Sequence, residues 1–232
     1  MAKKKKSRKE LLKEPDEFLT LSARAIIAAR EHARKLKFLG MAVVAVVLVY
    51  LGASTYLKYA NRKGQEAYNE AYNALVSTLD DKGQKAEGLA RAEELLRKVI
   101  DEHGLSRARD LALPELGYVN FREGKYDEAI SLYQSYLEEV PDDWYYRSLV
   151  SFALASCYEA KGDVKKAVEV LESVLVGPDV FLKGQAMLSL SRLYDLLNRD
   201  EMALKILKEF SEKFPSSAYI PFVKARLLAF SP

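Results

Sequence analysis

The chain changes its pattern of apolar and polar residues near residue 57. From Phe38 to Leu57, twenty consecutive residues carry no charge, and a helix of that length spans the hydrocarbon core of a bilayer, about 30 Å thick. Beyond residue 57, apolar residues recur at three- and four-residue spacing, and glycine and proline fall mostly between these segments. This spacing is typical of amphipathic helices. The sequence therefore predicts an all-α protein, with a transmembrane helix at 38–57 followed by a helical domain at 58–232.

A cleaved signal peptide is the competing interpretation of the apolar run. The run is longer than the core of a usual signal peptide and begins unusually late in the chain. No clean small-residue cleavage site follows it in a suitable position, although Gly52-Ala53-Ser54 keeps this alternative open. We therefore expect an anchor that stays in the protein.

The charges around the span predict its orientation. Residues 1–37 contain twelve Lys or Arg and five Asp or Glu, a balance of +7, which leaves −4 for residues 58–232 out of the whole-chain +3. Four cations lie immediately before the span: Arg30, Arg34, Lys35 and Lys37. By the positive-inside rule the N-terminus is cytoplasmic. The C-terminal domain is then periplasmic, and the predicted location is a bacterial inner membrane.

The N-terminal segment 1–37 is a basic tail followed by a predicted helix. The basic run Lys3–Lys9 has no interleaved aromatic residues and no recognition helix after it, so lipid head groups are favoured over nucleic acid as its contact. After Pro15-Asp16-Glu17, apolar residues recur at helical spacing: Phe18, Leu21, Ala25 and Ala28. This pattern predicts an amphipathic cytoplasmic helix, continuous with the span, that lies on the membrane or against a partner.

An internal repeat organises the C-terminal domain. Three units align at the following positions: Leu116, Gly117, Gly124, Ala129, Tyr133 and Tyr136, then Leu154, Ala155, Gly162, Ala167, Leu171 and Val174, then Leu190, Ser191, Asn198, Ala203, Leu207 and Phe210. The alanines are 38 and then 36 residues apart. Small residues on both helices of a unit let the helix axes approach closely, and bulky residues four and seven positions after the alanine fill the space to the next unit. Gly124, Gly162 and Asn198 suit tight turns that need a left-handed backbone.

This pattern resembles the tetratricopeptide repeat over residues 110–217. A degenerate unit is predicted at 64–104, with Tyr68, Ala71, Tyr72 and Leu75 on its first helix and Ala92, Leu96 and Val99 on its second. The tail is predicted to be a capping helix, marked by Ala218, Tyr219, Phe222, Ala225, Leu228 and Ala229. The resemblance implies a tetratricopeptide-type helical-repeat solenoid of about four helix pairs plus this capping helix.

The arrangement of one span and weak repeats also resembles the YfgM-like family of bacterial inner-membrane proteins, which associate with the Sec translocon and periplasmic folding factors. The segment Phe210–Tyr219 is equally similar to repeats of periplasmic envelope-assembly proteins such as BamD and CpoB, which lack this kind of anchor. None of these families supplies catalytic residues to carry over.

The sequence does not predict an enzyme, a metal site or a cofactor. His32 and His103 have no His, Cys or paired carboxylate at ligand spacing, and no phosphate-binding glycine loop or hydrolase motif is present. Cys157 is the only cysteine and falls on an apolar helix, where a small buried thiol is expected.

Partner binding is the predicted function, through the concave face that first helices line in repeats of this kind. Positions one and four residues after each small residue, with neighbours one turn earlier, select the candidate groove: Tyr118, Phe121, Phe152, Ser156, Glu159, Leu188, Arg192 and Asp195. Arg122, next to Phe121, is a further candidate. A mixed aromatic and charged groove suits an extended or helical peptide. Trp144, Tyr145 and Tyr146 form a second aromatic cluster that either caps a joint between repeats or contacts a partner.

The sequence therefore predicts a membrane-anchored scaffold that binds other proteins or peptides and does not bind nucleic acid. Its predicted role is in secretion, periplasmic folding or envelope assembly, as part of a membrane-protein complex. Two alternatives stay open: a linker whose repeats self-associate, and a sensor or accessory subunit that signals through the single span.

Overall fold

The computed structural model describes residues 23, 26–27, 29–30, 32–80, 85–140, 143–178 and 180–229. These residues form helices and turns, with no strand among them, which confirms the predicted all-α fold. The helices are α1 (Ala33–Asp80), α2 (Lys85–Glu102), α3 (Arg107–Arg122), α4 (Tyr126–Glu139), α5 (Trp144–Ala160), α6 (Val164–Val176), α7 (Val180–Leu196), α8 (Asp200–Lys213) and α9 (Ile220–Ala229). The basic run and the apolar positions of the predicted amphipathic helix at 16–37 lie outside the described residues, as does the segment 81–84.

The chain divides into two compact units, Met1–Tyr56 and Leu57–Pro232. In the first unit, every side chain of α1 from Ala33 to Ala53 is exposed. Among the described residues, α1 is the one helix whose length and apolar composition would allow it to cross a membrane. The sequence predicts the span and the first repeat helix as separate elements, whereas α1 runs for 48 residues through both.

In the second unit, successive helices pack in pairs: α3 with α4, α5 with α6, and α7 with α8. The predicted small positions allow this packing. Ala129, Ala167 and Ala203 are at most 1% exposed, and a side chain at Gly117 would overlap the ring of Tyr133. The bulky residues four and seven positions after each alanine are all buried: Tyr133, Tyr136, Leu171, Val174, Leu207 and Phe210. The predicted packing of the repeat is therefore the observed one.

The three turns inside these pairs share one geometry. Gly124, Gly162 and Asn198 have φ angles of 78°, 81° and 54°, in the left-handed region that glycine and asparagine tolerate best. In each turn the next residue donates its N–H to a carbonyl five positions back, as from Lys125 to Asn120. The turn residues predicted from the sequence therefore end the first helix of each pair and start the second.

The first pair consists of the second half of α1 and helix α2. Ala71 and Leu75 on α1 share a buried cluster with Ala92, Leu96 and Val99 on α2. The start of α3 is fixed to α1 by Asn61, because the Oδ1 atom of Asn61 accepts hydrogen bonds from the Ser106 hydroxyl and the Arg107 N–H, both at 3.1 Å. The C-terminal half of α1 is thus built into the repeat domain.

Helix α9 follows the last pair and packs on α8. Val223 is fully buried in the same cluster as Phe210, with Ile220 and Leu227 partly buried beside it. Tyr219, Phe222 and Leu228 are 48%, 59% and 73% exposed. The packed face therefore differs from the one that the apolar pattern of the tail indicates.

Candidate functional site

A cavity of about 580 Å³ opens between the first helices of the first three pairs. Its wall is rich in tyrosine and contains one charged residue, Glu115. The lining residues are Tyr68, Asn69 and Tyr72 from α1, Leu111, Pro114, Glu115 and Tyr118 from α3, Tyr133 and Tyr136 from α4, and Tyr146, Leu149, Val150 and Ala153 from α5. We call this the aromatic cavity.

Helical periodicity explains which residues reach the aromatic cavity. On α3 the lining positions follow the spacing i, i+3, i+4 and i+7 from Leu111, and on α5 they follow the same spacing from Tyr146. Residues at that spacing share one face of a helix. The side chain of Asp143 accepts the Tyr146 N–H at 3.1 Å and so fixes where α5 begins. Gly117 lets the Tyr133 ring lie close against α3.

Glu115 stands out electrostatically in this wall. Its side chain makes no hydrogen bond or ion pair with any residue that the structure describes, and burial raises the pKa of its carboxyl group. Burial also raises the pKa of the Tyr68 and Tyr133 hydroxyls, and the negative charge of Glu115 adds to both shifts. The cavity therefore combines shielded tyrosines with an unpaired acid.

The repeat itself does not require an acid at this position. The residues equivalent to Glu115, two positions before the small packing residue of each unit, are Ala153 and Ser189. Both of these helices pack against their partner helices as α3 does. The packing of the repeat therefore does not explain why Glu115, a residue of the cavity wall, carries a carboxylate.

Some of the sequence-predicted site residues meet at the aromatic cavity. Tyr118 and Tyr146 both line it, so the groove and the second aromatic cluster are joined through Tyr146. Arg122 lies at the rim, where its guanidinium donates to the Tyr118 hydroxyl at 2.5 Å and sits 5.6 Å from the Tyr118 ring centroid. Phe121 is not part of the wall. It lies in the last turn of α3, half-buried, with its ring 5.6 Å from that of Tyr126 at the start of α4.

The other predicted groove residues lie further along the repeats. Glu159 and Arg192 pair with each other through two hydrogen bonds of 2.5 and 2.8 Å, and Asp195 pairs with Arg226 of α9. Leu188 and Arg192 line a shallower hollow of about 420 Å³, together with Tyr219 and Phe222. Phe152 is half-buried against the core, and the Ser156 hydroxyl donates to its carbonyl. Glu159 and Arg192 therefore neutralise each other, and Arg226 neutralises Asp195.

Trp144 and Tyr145 lie away from the aromatic cavity. Trp144 lines a hollow of about 350 Å³ with Leu137, Ser173 and Val176, close to Gly177 at the end of α6. Tyr145 packs edge-on against Tyr146, with ring centroids 5.8 Å apart. Trp144 thus sits at the joint between two pairs, whereas Tyr146 faces the cavity.

The sequence-based selection missed Tyr68, Tyr72, Glu115 and Leu149. Leu111, Glu115 and Tyr118 are spaced as one face of a helix, and the equivalent face of α5 contains Leu149 and Ala153. The prediction extends the groove one turn earlier at Phe152 and Leu188 but not before Tyr118, where the same extension reaches Pro114 and Glu115. Among the described residues, no group of three or more His, Cys, Asp or Glu could hold a metal ion.

Comparison with protein families identifies the repeat. Three family models, each described as a tetratricopeptide repeat, match residues 73–143, 120–175 and 185–217. Residues 73–175 and 185–217 are therefore tetratricopeptide repeats. Repeats of this class generally bind other proteins or peptides, and the matching models describe a repeat and not a catalytic domain. A search of curated protein sequences gave no significant match.

Solved tetratricopeptide repeat proteins have a similar fold. A tetratricopeptide repeat protein from Parabacteroides merdae superimposes with a TM-score of 0.56 at 22% identity, over 70% of this chain and 59% of that protein. A putative kinesin light chain from Podosopora anserina, with nearly identical repeats, gives a TM-score of 0.53 at 18% identity, over 73% of this chain and 85% of that protein. At these identities the likeness concerns the fold.

Proposed function

We propose that this protein is a membrane-anchored scaffold whose tetratricopeptide repeats bind a segment of another protein in the aromatic cavity. The observation that carries the proposal is the cavity itself. At about 580 Å³ it falls within the range of built ligand sites, roughly 300–1,000 Å³. Tyrosine, the dominant residue of its wall, is typical of protein-binding hot spots.

The anchoring part of the proposal rests on α1. A helix with twenty uncharged residues and exposed side chains along that stretch would need to bury them, and a bilayer supplies that environment. The excess of cations before Phe38 favours a cytoplasmic N-terminus and a repeat domain on the outer face of a bacterial inner membrane. The likeness to the YfgM-like family supports a role beside secretion, folding or envelope-assembly machinery.

Site-specific photocrosslinking in cells tests the binding site. A photoreactive phenylalanine analogue placed at Leu149, which lines the cavity and is 38% exposed, should give a discrete crosslinked product. The same analogue at Glu138, which is exposed on α4 and does not line the cavity, is the matched control and should not give that product. Tyr118→Ala should reduce the Leu149 product by about tenfold, the loss that corresponds to about 1.4 kcal/mol of contact.

The identity of the crosslinked species separates the alternatives. A heterologous protein crosslinked from Leu149 but not Glu138 supports the scaffold. A product of twice the chain mass at both positions would instead show a self-associating linker. Equal products from both positions, unaffected by Tyr118→Ala, would reject the cavity as the binding site.

A further inference from the structure

Glu115 differs from the other shielded carboxylates of the repeat domain. Glu93 contacts Arg97 and Lys125, Glu159 contacts Arg192, and Asp195 contacts Arg226. Glu115 faces a cavity of about 580 Å³ and has no such cation among the described residues. A shielded carboxylate is costly unless it is paired or hydrogen-bonded, so the missing partner is expected to come from outside the chain.

The rest of the wall suits a cation. Six tyrosines surround the cavity: Tyr68, Tyr72, Tyr118, Tyr133, Tyr136 and Tyr146. The face of an aromatic ring attracts an ammonium or guanidinium group within about 6 Å of its centroid. The chain itself shows this contact at the rim, where the Arg122 guanidinium lies 5.6 Å from the Tyr118 centroid. Burial raises the pKa of the Tyr136 hydroxyl, the nearby carboxylates of Asp143 and Asp110 add to this shift, and Arg147 opposes it.

Other occupants fit this wall less well. An acidic segment would be repelled by Glu115, and a purely apolar one would bury the carboxylate without a partner. A metal ion would find a single carboxylate where several ligands are needed. Charge complementarity therefore favours a basic side chain.

Resting on the function proposed above, we propose that the aromatic cavity binds the side chain of an arginine or lysine in a partner polypeptide, with the Glu115 carboxylate as counter-ion inside a tyrosine cage. The cation supplies the positive charge that pairs with the Glu115 carboxylate. The flanking residues of the segment lie across the open mouth of the cavity. The site thus selects basic over neutral or acidic segments.

The test uses the full-length chain in a maltoside detergent, whose head group carries no charge. Two blocked nonapeptides of Gly, Ser and Ala are compared by isothermal titration calorimetry, one with a central Arg and one with the uncharged isostere citrulline. The Arg peptide should bind at least about tenfold more tightly, as expected for a partly desolvated cation–π and ion-pair contact of about 1.4 kcal/mol. Equal affinities, or tighter binding of a central-Glu peptide, would overturn the proposal.

Variants assign the selectivity to Glu115. Glu115→Gln should abolish the difference between the two peptides, and Glu115→Ala, which introduces the residue found at the equivalent Ala153, should do the same. Glu138→Gln removes the same charge from an exposed position on α4. It should leave the difference in affinity between the two peptides unchanged. Selectivity that survives both Glu115 variants would mean that another group recognises the cation, and the Glu115 assignment would be wrong.

The pH dependence adds a signature that a structural role for Glu115 would not produce. Because burial raises the pKa of this carboxyl group, affinity for the Arg peptide should fall as the pH is lowered, and the fall should begin above the range in which an ordinary carboxylate titrates. The other titratable groups of the wall are the six tyrosines. Glu115→Gln should give a flat profile, and a sloping one would contradict the proposal.

Two further outcomes identify which idea fails. If methylguanidinium alone binds as tightly as the Arg peptide, the cavity takes a small cation and the polypeptide part of the proposal is wrong. If the Leu149 crosslink to a heterologous protein is present but neither peptide is preferred, the scaffold function stands and the basic-residue specificity is wrong.

Discussion

At the scale of single residues, the same helix of a repeat serves both packing and recognition. On α3, Gly117 faces Tyr133 of α4, while Glu115, two residues earlier, lines the aromatic cavity. Tyr133 belongs to both sides, since it is buried in the core and also lines the cavity. A change at Gly117 is therefore expected to affect stability and cavity shape together.

Substitution by alanine is expected to have opposite effects at two glycines that lie in the first helices of their pairs. In Gly117→Ala the new Cβ would lie 2.6 Å from the buried Tyr133 ring, and such overpacking outweighs the gain in helix propensity, so stability should fall by about 1–2 kcal/mol. In Gly184→Ala the nearest atoms are 3.5 Å away, and stability should rise by about 0.5–1 kcal/mol. Chemical denaturation followed by circular dichroism checks both. Similar effects at the two sites would show that Tyr133 relaxes freely.

At the scale of elements, α9 packs against α8 with one narrow face. Val223 is the fully buried residue of this helix, and Arg226 connects it to Asp195 of α7. Phe222, although larger, is mostly exposed beside Leu188 and Arg192. The neighbouring residues of one helix therefore contribute very differently to stability.

A pair of truncations in α9 tests this assignment. Val223→Ala should lower the free energy of unfolding by about 1–3 kcal/mol, because it removes methyl groups from a packed site. Phe222→Ala should change it by less than about 0.5 kcal/mol, as is usual for an exposed site. Thermal and chemical denaturation of the two variants, side by side, gives the comparison. If Phe222→Ala is the more damaging, α9 packs through the face that its apolar pattern indicates.

The elements differ in how far the sequence alone predicts them. The turns at Gly124, Gly162 and Asn198 are predictable because their backbone conformation depends on the residue itself. The packed face of α9 is not, because both of its faces carry apolar residues and only contact with α8 selects between them.

At the scale of the whole molecule, the fold class and the repeat were predictable because the spacing recurs three times. The aromatic cavity was not, because its wall comes from α1, α3, α4 and α5, and Tyr68 and Tyr72 belong to the most degenerate unit. The close contact between Gly64 of α1 and Ser106 was not predictable either, because it depends on tertiary packing that no local pattern encodes.

The proposed orientation can be tested with a single cysteine on each side of the proposed anchor. Cys157 is fully buried, and burial raises its thiol pKa to about 11, so the parent chain should itself resist a thiolate-directed reagent. The parent is then the blank for every labelling experiment. Ser216, exposed in the turn before α9, is a better reporter than Ser217, whose hydroxyl accepts the Tyr219 N–H.

In intact spheroplasts, Ser216→Cys should react with a membrane-impermeant maleimide and Ser7→Cys should not, because the twelve cations of residues 1–37 favour retention on the cytoplasmic side. After the membrane is opened with detergent, Ser7→Cys should become reactive, which shows that its earlier protection came from the bilayer. The reverse pattern would contradict the proposed orientation but would still agree with a membrane anchor. Labelling of both positions in intact spheroplasts, with the chain recovered in the soluble fraction, would overturn the anchor itself and favour a cleaved or secreted form.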